Sequence, residues 1–114
     1  MTTLELDHQL NTMIIEGKSI EALQTFYAED VVAQENDEPE RTGRDAWIRA
    51  RQEMEKNTKA FDARVLAHAA NGDTSFSEWE YNLELAGMGA VKIVQVAVRR
   101  WKNGKVVRER FYHK

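Results

Sequence analysis

The chain has 114 residues, no cysteine, and 16 basic against 19 acidic side chains, for a formal net charge of −3. That length suits one domain, residues 1–114 as a single unit, with a core large enough to need no staples. The absence of cysteine excludes disulfides, thiolate nucleophiles and Cys-ligated metals, and the mildly acidic balance argues against a nucleic-acid partner. Residues Met1 to His8 lack the basic and apolar stretches of a signal peptide, and no apolar run approaches membrane-spanning length. No membrane partner is therefore expected, and the location expected is cytoplasmic.

Thr2 and Glu5 have the spacing of a capping box, and Leu6, Leu10, Met13 and Ile14 follow at helical spacing until Gly17. Ser19 is placed to cap a second helix with the stripe Ile20, Leu23, Phe26 and Tyr27. Asp30–Glu35 reads as a short strand running into the polar loop Asn36–Arg41. Thr42 and Asp45 open a third helix carrying Trp47, Ala50 and Met54 on one side. The period then switches to two. Phe61–Ala70 is a strand closed by Asn71-Gly72-Asp73. In the next strand Ser77, Trp79, Tyr81, Leu83 and Leu85 alternate with Glu78, Glu80, Asn82 and Glu84. Gly87-Met88-Gly89 turns into two β-rich runs, Val91–Trp101 and Lys105–Lys114, separated only by Lys102-Asn103-Gly104. Asn-Gly between such runs is the strongest short hairpin signal. Helices first and a long hairpin last make this an α+β chain of order α-α-β-α-β-β-β-β.

Three stretches carry a family resemblance. Phe26-Tyr-Ala-Glu-Asp30, Arg41-Thr-Gly43, and Asn103-Gly-Lys-Val-Val107 leading to Arg110-Phe-Tyr112 resemble the helix–strand junction, the entry to helix three and the last strand of the nuclear transport factor 2-like superfamily. That superfamily includes the SnoaL-like polyketide cyclases and the ketosteroid isomerases. The resemblance implies a cystatin-like cone: a curved mixed or antiparallel sheet closed by three helices around a pocket for a small apolar or amphipathic molecule. It does not choose among isomerase, cyclase, dehydratase, epoxide hydrolase and plain binding module.

Glu35 follows the aromatic-Ala-acidic-acidic stretch where the isomerases carry their base, so the resemblance makes it a candidate for proton transfer. The alternative is a solvated strand end. The isomerase oxyanion partners are missing, with Leu10 in place of the tyrosine and Ala97 or Val98 in place of the acid, which argues against steroid isomerisation. On the last strand Glu109 and His113 share a face with Val107 and Phe111, whereas Arg108, Arg110 and Tyr112 share the other. The first face is expected to be concave, because burying two arginines without partners is costly, and Glu109 with His113 then forms a second acid/base candidate. If Asn103-Gly104 is a two-residue turn, that face joins Val94, Val96 and Val98. If the loop has three residues with a bulge, it joins Gln95, Ala97 and Trp101.

Trp47, Trp79, Tyr81 and Phe111 are expected to wall the pocket, as core or ligand contacts. His8, His68 and His113 show no metal-ligand spacing, and neither a metal nor another cofactor is expected. The basic cluster Lys92, Arg99, Arg100, Lys102, Lys105, Arg108, Arg110 and Lys114 reads as an exposed sheet face or, against the overall charge balance, as a site for an anion or RNA. Val94, Val96 and Val98, with Ala97 and Trp101, make both faces of the fifth strand apolar. A cone covers only one face, so a homodimer is expected.

Overall fold

The computed structural model describes residues 1–114. Helices α1 (Thr3–Ile15) and α2 (Ser19–Phe26) come first, followed by strand β1 (Tyr27–Glu35), the two-residue strand β2 (Arg41–Thr42) and helix α3 (Arg44–Lys56). Four long strands complete the chain: β3 (Thr58–Asn71), β4 (Thr74–Leu85), β5 (Gly89–Lys102) and β6 (Lys105–His113). They form one curved, unclosed six-stranded sheet of order β2-β1-β6-β5-β4-β3. β1 and β6 pair in parallel, and the other pairs are antiparallel. The fold is therefore the expected α+β arrangement of three helices on a curved mixed sheet.

The capping box at Thr2 is formed, with its hydroxyl accepting from the Glu5 amide at 3.1 Å and the Glu5 carboxylate accepting from the Thr2 amide at 3.1 Å. The other two helix starts differ from expectation. Ser19 lies inside α2 and is buried, with Lys18 at the cap position. Gly43, at φ 112, precedes α3 without a side-chain cap, so Thr42 does not serve as one. The inward stripe of α2 is Ser19, Ala22, Leu23 and Phe26, because Tyr27 has already entered β1. Likewise α3 turns Trp47, Ile48 and Arg51 toward the core, while Ala50 and Met54 are exposed. Its sequence carries too few apolar residues to fix the helix's rotation by pattern alone.

The final hairpin resolves the open question of register by a route outside both alternatives. Asn103 and Gly104 have φ of 52° and 76°, and Lys102 pairs with Lys105, so the turn has two residues. Two pairs further along, however, Trp101 faces Val106 while Arg100 faces Arg108, leaving Val107 without a partner. This bulge shifts the alternation by one residue. Glu109 and Phe111 therefore share the concave face with Arg99 and Ala97, although the turn is short.

The core has two apolar parts. Leu10, Ala22, Leu23, Phe26, Tyr27, Val31, Trp101 and Val106 pack where α1 and α2 cross the sheet, with Phe26 edge-on to Trp101 at 6.1 Å. Ala63, Trp79, Ala97 and Phe111 form the second part, reached by Trp47 from α3. A layer of buried polar groups lies between the sheet and α1.

Candidate functional site

The centre of that layer is Arg99, which is 1% exposed. It was expected within a basic surface cluster, but the β5 alternation that turns Ala97 and Trp101 inward carries Arg99 with them. Its Nε donates to Glu109 Oε2 at 2.6 Å, and its Nη1 donates to Asp7 Oδ1 at 2.8 Å and to Asn11 Oδ1 at 2.5 Å. Asp7 and Asn11 are spaced i, i+4 on α1, in one stripe with Leu10 and Ile14, so helix geometry alone aims them at the sheet. Asp7 also accepts from the Ser75 hydroxyl at 2.8 Å and from the Asn11 amide at 3.2 Å, and its Oδ2 lies 2.7 Å from His68 Nε2. The Ser75 hydroxyl in turn accepts from the Trp101 indole at 2.9 Å. Charges buried so deeply persist because they are paired and most of their lone pairs and protons are hydrogen-bonded.

Glu109 is equally buried and is held asymmetrically. Its Oε2 accepts from Arg99 and from the Tyr27 hydroxyl at 2.7 Å, whereas its Oε1 has no hydrogen-bond partner. Burial opposes the charge on Asp7, but the Arg99 guanidinium and the hydrogen bonds outweigh it and hold the carboxyl below the usual range. Burial likewise opposes the charge on Arg99, and Tyr27, Glu109 and Asp7 more than offset it, keeping the guanidinium protonated. The Tyr27 hydroxyl is pushed well above its ordinary value, first by burial and then by Glu109. Burial pushes Tyr81 up to about 12. Both phenols are therefore neutral near pH 7.

Glu109 lines a small, partly open cavity of about 20 Å³, bounded also by Tyr27, Trp47, Arg51, Tyr81 and Phe111. That is the volume of a single water. Trp47 stacks on Phe111 at 6.1 Å, and Arg41 lies over Trp47 at 5.7 Å. Trp79 does not line the cavity. It is fully buried behind Tyr81, stacked at 5.3 Å, with its indole donating to Ser77 at 2.9 Å. A larger open depression of about 410 Å³, mostly polar, lies at the start of α3 around Glu29, Arg44 and Arg49, and it contains none of the expected site residues. No group of three His, Asp or Glu side chains is arranged to hold a metal ion.

Of the residues singled out by sequence, the cavity brings together Glu109, Trp47, Tyr81 and Phe111. Glu35 and His113 sit apart from it, at the ends of β1 and β6, 3.5 Å from each other. His113 therefore pairs with Glu35, and Glu109 with Arg99 and Tyr27. The His113 imidazole is raised above its ordinary value, first by its bond to the Lys114 carbonyl and then by Glu35. Asp7, Asn11, Tyr27, Arg51, His68 and Ser75 were not singled out. The available signal was the pair Asp7 and Asn11 interleaved with Leu10 and Ile14 in one helical stripe. Two polar residues on an apolar face call for a buried partner.

Solved structures share this architecture. A protein from Mesorhizobium loti named as a SnoaL-like polyketide cyclase superposes with a TM-score of 0.83 at 23% identity, over 98% of this chain and 99% of that one. A nuclear transport factor 2-like protein from Burkholderia thailandensis gives 0.86 at 14% identity, covering 100% and 92%. An LEH-like epoxide hydrolase from M. tuberculosis gives 0.81 at 13%, covering 98% and 82%. No curated protein sequence matches the chain. At these identities the structures establish the fold, and the sequence itself supplies the family: the SnoaL-like domain model matches residues 9–109, so the chain belongs to the SnoaL-like family within the nuclear transport factor 2-like superfamily.

Proposed function

We propose that this protein moves a proton on a small apolar or amphipathic molecule bound above Glu109. The observation that carries this reading is the asymmetry of that carboxylate in a residue that lines a cavity beside aromatic rings: Oε2 is fixed by Arg99 and Tyr27, while Oε1 is buried and unpartnered. A base needs one free oxygen and a fixed orientation, and Glu109 has both. Trp47, Tyr81 and Phe111 supply the flat apolar contacts, with Trp79 backing Tyr81. Glu35 and His113, candidates on sequence, are assigned no part in the proton transfer because neither lines the cavity.

The substrate class that fits is a carbonyl compound with an acidic neighbouring C–H, or an epoxide. The test uses 1-indanone in deuterium oxide, following exchange of its C2 protons by NMR, with styrene oxide hydrolysis in parallel. Exchange or hydrolysis above the buffer rate, abolished in Glu109→Gln while that variant keeps its circular dichroism, supports the reading. Activity that survives Glu109→Gln refutes it.

One feature favours a second reading, a non-catalytic binding module that dimerises. Val94, Phe76 and Tyr112 stand exposed on the convex face, where Val94, Val96 and Val98 lie along β5 with Tyr112 opposite Val96. Such a face suits a second copy of this chain. Binding of both compounds without turnover of either would select this reading.

A further inference from the structure

The isomerase-type oxyanion partners are absent from the sequence, and Arg99, which also lines the cavity, directs its Nε and Nη1 to Glu109, Asp7 and Asn11. A second arginine reaches the same cavity. Arg51 of α3 lines it with Glu109, Trp47 and Tyr81, is half-buried, and makes neither an ion pair nor a side-chain hydrogen bond. Its charge is felt at both cavity phenols, where it opposes part of the rise caused by burial. Arginines that reach a mostly apolar cavity usually have a carboxylate partner, because desolvating the guanidinium is costly. Here the nearby carboxylates belong to Arg99.

We propose that Arg51 is the counter-charge for an oxygen anion on the ligand, so that the site takes flat carbonyl compounds whose enolates it binds more tightly than their neutral forms. This rests on the reading of Glu109 as base. In the step implied, a C–H proton next to the carbonyl passes to Glu109 Oε1. The C–H electron pair becomes the new C=C bond, and the carbonyl π pair moves onto oxygen, which Arg51 faces as it becomes an enolate. Return of the proton from Glu109 to carbon restores the carboxylate.

The geometry also says which wall admits the ligand. The cavity of about 20 Å³ lies far below the roughly 300–1,000 Å³ of ordinary small-molecule sites. No residue of α3 is fully buried, and toward the cavity the helix contributes only Trp47 and Arg51. α3 is thus the wall least anchored in the core, and its outward displacement makes room for a ring while keeping Arg51 over its edge.

The test uses 4-nitrophenol, a flat probe whose phenolate mimics an enolate oxygen and whose absorbance reports its ionisation. Equilibrium dialysis measures binding, and a pH titration of the bound probe gives its ionisation midpoint relative to free probe. For the wild-type protein the midpoint should fall by about one pH unit, equivalent to roughly tenfold preference for the anion, the worth of one hydrogen bond to a charged group. In Arg51→Met the midpoint should return to the free value or above it, and Arg51→Lys should restore most of the shift. Arg51→Met removes no ion pair, so its melting temperature should stay near that of the wild type. A bound probe with an unshifted midpoint, or a shift that survives Arg51→Met, overturns the inference while leaving the pocket intact. Failure of the probe to bind the wild-type protein overturns the pocket and this inference together. Glu109→Gln separates the two readings, because the Arg51-dependent shift should persist there whether or not Glu109 acts as the base.

Discussion

Arg99→Met tests the buried network directly, because methionine fills much of the arginine volume while removing its charge and all its donors. Both carboxylates lose their cation, but unequally. Asp7 keeps Ser75, Asn11 and His68, whereas Glu109 keeps only the Tyr27 hydroxyl. Leaving a buried carboxylate without its partner costs about 3–5 kcal/mol. The folded variant has an escape, which is to protonate Glu109. From an ordinary value near 4 up to pH 7 that costs about 4 kcal/mol, at about 1.4 kcal/mol per pH unit. The two routes agree, so a loss of about 4 kcal/mol is expected at pH 7, a large fraction of the roughly 5–15 kcal/mol of an ordinary domain.

The protonation route also predicts a pH dependence. In the variant, the folded Glu109 value lies above its unfolded value, so the folded state holds the extra proton between them and stability falls as pH rises. At pH 5 the loss should shrink to about 1.2 kcal/mol, by the same 1.4 kcal/mol per unit. The wild-type protein lacks this slope from Asp7, whose folded value is lowered, so that its contribution is already complete above the unfolded value near 3.9. Urea unfolding followed by tryptophan fluorescence at pH 7 and pH 5 measures both quantities. Adding Glu109→Gln to Arg99→Met should recover about 2 kcal/mol at pH 7, as expected for residues in direct contact. A loss below about 1 kcal/mol, or one equal at the two pH values, would refute the reasoning.

Acid unfolding should distinguish Asp7→Asn. The wild-type protein loses the Asp7 contribution as pH falls below about 4 through the lowered folded value, and the variant should lack that limb while being less stable at pH 7. Glu35→Gln should alter stability by less than about 0.5 kcal/mol, since its partner His113 is a rim group screened by solvent. The raised His113 value should move toward normal without reaching it in an NMR titration, because the bond to the Lys114 carbonyl remains. Gly104→Ala should cost about 1–2 kcal/mol by urea unfolding, because its φ of 76° is left-handed. On the convex face, Val94→Lys should leave the monomer fold unchanged but shift sedimentation from dimer to monomer at micromolar concentration, and a wild-type monomer under those conditions would remove the dimer reading.

Local rules determined much of this protein from sequence alone. The capping box, the Asn103-Gly104 turn and the period-two alternation of Ser77 to Leu85 depend on residues within a few positions of one another, and each forms as the sequence requires. The inward placement of Tyr81 follows from that alternation. The register of the last hairpin was not legible, because the bulge at Val107 sits several residues beyond the turn that sets the pairing. The rotation of α3 was not legible either, since its few apolar residues leave the choice to what it packs against. The largest omission was Arg99. One among eight basic residues in the last strands, it looks in sequence like its exposed neighbours. Only the meeting of α1, β5 and β6 gives it two carboxylates separated from it by 92 and 10 positions. A lone buried charge is costly and an encircled one is tolerable. Tertiary structure therefore decided which arginine goes inside, and with it which carboxylate faces the cavity.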